Sequence, residues 1–243
     1  MRTIAFLPIV LVLVFFLSGC GITSQTPILG KNESDQFDEA PGYWGCGGPS
    51  ADVKDLKLSS AFLIEDKSTG EFFNKDYVYR GKALSGKSDP DGGDEWILRA
   101  KKYKQTYALQ FCNNDKREKY KDDRIFYYHY AVKQGEFLNV FDLHEKNLSS
   151  EIKDLLGELY INAKDRNDIK LSDDFVASHG KKLIDTIARS LPKADLTDKI
   201  ARTCKKISGE QARAIIDERL AKAKKEEEAQ AAKKREEETP PAQ

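Results

Sequence analysis

The chain is poor in the residues that most enzymes are built around. It has only three histidines, His129, His144 and His179, on well-separated stretches, and neither a C-x-x-C nor an H-x-x-x-H spacing occurs. A zinc centre therefore lacks its usual ligand set. His144-Glu145 is not followed by a histidine three residues later, and there is no G-x-S-x-G, phosphate-binding loop or dinucleotide fingerprint. Charge of either sign in surplus is also missing. Forty basic residues balance forty acidic ones, which leaves no excess to displace counterions from a nucleic acid. Beyond Leu17 no apolar run is long enough to span a bilayer. These absences exclude a metal, an organic cofactor and a nucleic-acid partner from the expectations, and they favour a non-enzymatic role. Asp89-Pro90-Asp91-Gly92-Gly93-Asp94 looks briefly like a calcium loop, but it has glycine at its fourth position and no glutamate at the twelfth. It reads as a turn.

The N-terminus carries the strongest positive signal. Met1-Arg2-Thr3 is a short basic region, and Ile4 to Leu17 is an unbroken apolar stretch, too short to cross a membrane comfortably. It is followed by Leu17-Ser18-Gly19-Cys20. This segment resembles the lipobox of bacterial lipoproteins at all four positions. The resemblance implies cleavage before Cys20, a diacylglyceryl thioether on its sulfur, and a mature chain held on an envelope membrane by several acyl chains. In Gram-negative lipoproteins an Asp after the cysteine commonly retains the protein at the inner membrane. Gly21 stands there instead, which points to the outer membrane, facing the periplasm.

Residues 21–41 are rich in Ser, Thr, Gln, Pro, Gly, Asp and Glu with little apolar periodicity, and they are expected to form a flexible tether. The body is expected over 42–207. Alternating and aromatic runs predict strands at Ser59–Glu65, Phe72–Leu84, Trp96–Lys101, Gln105–Cys112, Arg124–Val132 and Phe137–Leu143, the last two joined by a tight turn at 133–136. In the fifth of these, Phe126, Tyr128, Tyr130 and Val132 share one face, and Ile125, Tyr127, His129 and Ala131 share the other. A strand apolar on both faces is covered on both. Ser149 or Ser150 can cap a helix bearing Ile152, Leu155, Leu156 and Leu159. A short hairpin is expected from Tyr160–Lys164 and Ile169–Ser172. A longer helix follows from Asp173 to Leu191, with Val176, His179, Leu183, Ile187 and Leu191 on one stripe and Pro192 to stop it, and then a strand over Ala201–Ile207. Ser208 and Gln211 form a capping box that opens a final helix over 208–243. Its apolar face ends at Ala223, beyond which only alanines lie among Lys and Glu, so the tail is expected to be solvated. The fold class expected is α+β: an antiparallel β-meander or partly closed barrel with C-terminal helices packed beside it.

With Cys20 lipidated, Cys46, Cys112 and Cys204 remain, and one disulfide is expected in an oxidising envelope. Cys112–Cys204 is the pairing chosen. Gly42-Tyr43-Trp44 at the opening of the β region resembles the G-x-W motif of lipocalins, which implies an antiparallel barrel around a small apolar ligand or lipid. Trp96, Tyr127, Tyr128 and Tyr130 are the residues expected to line such a pocket. The leading expectation is a lipid-anchored envelope protein whose non-enzymatic β-rich domain meets a protein partner as an accessory factor, and the lipocalin-like binder is the alternative.

Overall fold

The computed structural model describes residues 21–48, 56–70, 75–84, 95–113, 125–143, 148–163, 169–190 and 200–238. The segment expected to be a signal peptide, with Leu17, Ser18, Gly19 and Cys20, the turn expected at 89–94, and His144 lie outside these residues.

Among the described residues, ten strands and four helices are arranged in the order β1 (Ile22–Ser24), β2 (Gly42–Gly47), β3 (Leu58–Asp66), β4 (Tyr79–Ala83), β5 (Glu95–Tyr103), β6 (Thr106–Asn113), β7 (Phe126–Gln134), β8 (Phe137–Asp142), α1 (Ser150–Leu156), α2 (Glu158–Ala163), β9 (Ile169–Leu171), α3 (Asp173–Ser190), β10 (Arg202–Lys206) and α4 (Gly209–Glu238). Strands β2 to β8 run as an antiparallel meander. Then β10 enters between β8 and β2, and β6 also pairs with β7, so eight strands close into a barrel with no open edge. The β7–β8 turn requires a positive φ, supplied by Gly135 at 61°.

Strand parity divides the side chains into two cores. Trp44, Cys46, Phe62, Tyr79, Leu98, Ala100, Tyr107, Leu109, Ala131, Leu138 and Cys204 point inward and pack together. Tyr128, Tyr130 and Ala108 point outward and join a second core with Leu148, Ile152 and Leu156 from the α1 region and Val176, Leu183, Ile184 and Ile187 of α3. The outer face of β7 is thus covered at Tyr128 and Tyr130, while on its inner face Ala131 is buried and Tyr127 and His129 are half-buried, so the prediction of two fully covered faces holds only in part. On α3 the buried stripe omits His179, which is exposed and stacks on Phe175 with ring centroids 5.2 Å apart.

Helix starts follow the sequence signals closely. The Ile152 N–H donates to Ser149 Oγ at 3.3 Å. At α4 the box is reciprocal: the Gln211 N–H donates to Ser208 Oγ at 3.1 Å, and the Ser208 N–H donates to Gln211 Oε1 at 2.9 Å. Helix α4 leans on β3 and β2, with Ala212 buried and Ile215, Ile216 and Leu220 half-buried. From Ala221 to Ala232 every residue is exposed, so this stretch has nothing to bury, as expected.

Three expectations are corrected. Residues 21–41 are not a tether. Strand β1 lies between β7, antiparallel, and β9, parallel. After it, Ile28, Leu29, Phe37 and Ala40 are all buried. These apolar residues fall at irregular intervals because the segment is a strap across the body rather than a periodic element. The hairpin expected at Tyr160–Ser172 does not form: its first half is helix α2, and its second half, β9, finds its partner in β1. The disulfide joins Cys46 to Cys204, not Cys112 to Cys204, with Cα atoms 4.1 Å apart. Cys46 and Cys204 are cross-strand neighbours, both facing inward. Cys112 pairs in register with Phe126, whose side chain belongs to the outer core, so its thiol is on the wrong side of the barrel wall.

Candidate functional site

The two ends of the barrel interior differ. The strap seals the end at which β2 begins and β10 finishes. Phe37 enters there, stacked on Tyr107 with centroids 4.5 Å apart and edge-on to Tyr79 at 6.2 Å. Its N–H donates to the Tyr79 hydroxyl at 2.7 Å, and the Trp44 indole N–H donates to the Ala40 carbonyl at 2.8 Å. The Lys206 ammonium lies 6.0 Å above the Trp44 ring. Burial pushes the Tyr107 phenol up to about 12, with the charge of Glu39 and its hydrogen bond adding to the rise.

Polar clamps hold the strap in place. Arg99 donates to both carboxylate oxygens of Asp76, with Nη2–Oδ2 at 2.9 Å, and to the Gly30 carbonyl at 2.9 Å. Lys133 donates to Glu39. Gln110 binds the backbone of Leu29 twice, accepting its N–H at 2.8 Å and donating to its carbonyl at 3.1 Å.

At the opposite end the inward-facing side chains keep part of their surface in contact with solvent. Trp96, Phe111, Tyr127, His129, Val140, Asp142 and Arg202 are all half-buried, although their register places them inside the barrel. Their rings form a relay. Phe62 meets Trp96 edge-on at 6.2 Å, Trp96 meets Phe111 at 5.6 Å, and Phe111 meets His129 at 5.3 Å. Trp96 can lie flat across the wall because its cross-strand neighbour is Gly81, where a Cβ would fall 1.9 Å from the indole. Beyond His129 the lining becomes charged. His129 Nδ1 stands 3.2 Å from Asp142 Oδ1, but out of line for a hydrogen bond. Arg202 completes the row, its pKa lowered by burial and supported by the charge of Asp142. One half of this mouth is therefore aromatic and the other polar.

Of the four residues expected to line a pocket, Trp96 and Tyr127 face this mouth, and Tyr128 and Tyr130 do not. The latter two are adjacent in the outer core, at 1% and 0% exposure. The Tyr128 hydroxyl is occupied by the strap, 2.7 Å from Ser24 Oγ and accepting the Ile28 N–H at 3.2 Å. The pocket as read from sequence thus spans both sides of one barrel wall. Sequence reasoning missed Phe111, Asp142 and Arg202. Parity supplies the signal for the first: once β6 and β7 are paired, the face of Tyr127 and His129 also carries Leu109 and Phe111. Among the described residues no cluster of three or more metal-ligating side chains occurs.

Comparison with known proteins adds no assignment: no family model, curated protein or solved structure matches the chain. The Gly42-Tyr43-Trp44 tripeptide does open the first barrel strand, with Trp44 buried inside.

Proposed function

We propose that this protein is a lipid-anchored envelope protein whose barrel binds a small, largely apolar ligand at its open end. The observation behind this is the burial gradient within one closed barrel: a packed, strapped end and an opposite end whose inward-facing rings remain accessible. A barrel that served only as a packed scaffold would be filled along its whole length, since interiors normally pack without gaps. Ligand sites favour mainly apolar linings with a few converging polar groups. Here Trp96, Phe111 and Tyr127 offer the apolar wall, and Asp142 and Arg202 supply polar contacts that would fix a ligand's orientation. The anchor follows from the Leu17-Ser18-Gly19-Cys20 segment.

The chain carries its own reporter. Trp96 lies at the open end and Trp44 in the strapped half, so a Trp44→Phe variant emits from Trp96 alone. Titrating the mature protein, purified from its own host and delipidated, with a naphthyl fluorescent probe should quench Trp96 by energy transfer and saturate at one equivalent. Native mass spectrometry should detect a co-purified small molecule before delipidation. Absence of probe binding together with an empty native mass would overturn the ligand reading.

A further inference from the structure

We infer that the β1–β9 edge of the body, with Ile161 on α2 beside it, rests directly on the lipid leaflet. The inference depends on the proposal that Cys20 is lipidated, and adds to it an orientation and a contact surface. Two independent observations converge on this edge. The first is the missing tether. Gly21 is buried, and its carbonyl accepts the Ile169 N–H at 2.9 Å; Ile22 is 1% exposed and in register with both Tyr128 and Ile169. Successive Cα atoms are at most about 3.8 Å apart. The acylated residue can therefore lie no further than about 8 Å from a residue fixed in the sheet. A lipoprotein with a twenty-residue tether samples many orientations; this body does not have that freedom, and the part nearest the anchor must meet the leaflet.

The second observation is what that part presents. Among the described residues Ile161 is the most exposed large apolar side chain, at 67%. It belongs to α2, the helix that packs against β9. The other exposed aliphatic, Ile125 at 44%, immediately precedes Phe126, the partner of Ser24 in β1. Register therefore sets Ile125 past the Ser24 end of β1, away from Gly21, and Ile161 is the exposed large aliphatic on an element packed against the anchor-side strands. An isolated exposed isoleucine is unremarkable on a soluble surface. Its helix packs on β9, which pairs with the strand leading to the acylated residue, and acyl chains inserted there would give it a specific apolar environment to enter. Lys170, exposed on β9 between buried Ile169 and Leu171, adds a cation at the same edge, where a headgroup phosphate would lie.

The test uses the full lipidated protein reconstituted into phosphatidylethanolamine–phosphatidylglycerol vesicles. Cysteine is introduced by Ile161→Cys in one variant and by Ser59→Cys, an exposed site on β3, in another. Each is labelled with an environment-sensitive fluorophore in a Cys112→Ser background. A nitroxide on the lipid chains should quench the label at 161 at least threefold more than the label at 59. Inserting ten Gly-Ser residues between Cys20 and Gly21 should remove most of that difference while the protein still floats with the vesicles. Equal quenching at the two sites in floating protein would overturn the docking and leave the anchor standing. Protein that fails to float, with a bare thiol at residue 20 by mass, would instead overturn the anchor.

Discussion

The strapped and open ends of the barrel are lined by the same kinds of residue and are buried to different degrees. Both are rich in aromatic rings on antiparallel strands. At the strapped end Phe37, Tyr79 and Tyr107 are each 2% exposed or less, because a segment from outside the barrel fills the remaining volume. At the open end Trp96, Phe111 and Tyr127 keep their accessible surface. Composition therefore does not distinguish a fully packed end from a half-exposed one. Among the described residues the difference lies in which end receives a further layer of packing, and at the strapped end that layer comes from residues 28–40, the stretch that looks least structured in the sequence.

If that contrast is right, truncations at the two ends should have unequal costs. Phe37→Ala removes the ring stacked between Tyr79 and Tyr107 and should cost about 3–5 kcal/mol, roughly 10 °C in midpoint. Trp96→Ala should cost about half as much or less, since its ring is already partly solvated, while abolishing probe binding. Thermal unfolding of the two variants side by side measures this. An equal loss would mean that the open end is ordinary core.

Cys46–Cys204 lies between the ends, on the two strands where the C-terminal part of the chain closes the barrel, and spans 158 residues. Replacing both cysteines with alanine should cost about 2–4 kcal/mol, chiefly by releasing the unfolded chain. Trp44→Phe and Trp96→Phe versions of that variant should report one common denaturant midpoint. Two separate midpoints would show that the ends unfold independently, a sharper division than the one drawn here.

Much of this architecture is legible in the sequence, and the boundary of what is legible has a physical cause. Strands β3 and β5 to β8, the Ser149 cap, the Ser208–Gln211 box and the solvated end of α4 all declare themselves through local spacing, since each depends on residues a few positions apart. The strap and β9 do not, because their partners lie about 40–150 residues away and their own apolar residues follow no period. The disulfide fails to show for the same reason: which cysteine faces inward is decided by strand register. Trp96 and Tyr127 are found by their aromatic character. Tyr128 and Tyr130 share that character, and only strand parity puts them behind the wall.

A smaller perturbation acts on the open end alone. Gly81→Ala would place a methyl group inside the Trp96 indole, which is rigid and must swing away. Overpacking of this kind costs about 1–3 kcal/mol. The space available to the ring is the solvated mouth, so Trp96 emission should shift and probe affinity should fall, with Trp44 emission unchanged. Unaltered Trp96 emission would show that the ring's seat over Gly81 is not what positions it.

The gentlest test uses acid and should act on the strapped end first. The Asp76 carboxyl is held below its usual range mainly by its hydrogen bonds to Arg99, against the opposing effect of burial. Glu39 is lowered in the same way by Lys133. Carboxyls whose folded values lie below their unfolded ones, near 4, contribute stability above that pH and lose it as pH falls through the folded values. Nothing should change between pH 7 and 5. Below about pH 4 the two clamps on the strap weaken together, and in the Trp96→Phe variant the emission of Trp44, bonded to Ala40 at the end of the strap, should redden before the global unfolding transition. Asp76→Asn should remove part of this pH dependence, because its side chain has already lost the charge that acid would remove. The open end offers a control: in the Trp44→Phe variant, Trp96 should change only when the whole barrel unfolds. A simultaneous change in both reporters would mean that the strap is held by its buried rings, with Phe37 and Ala40 sufficient and the ion pairs adding little.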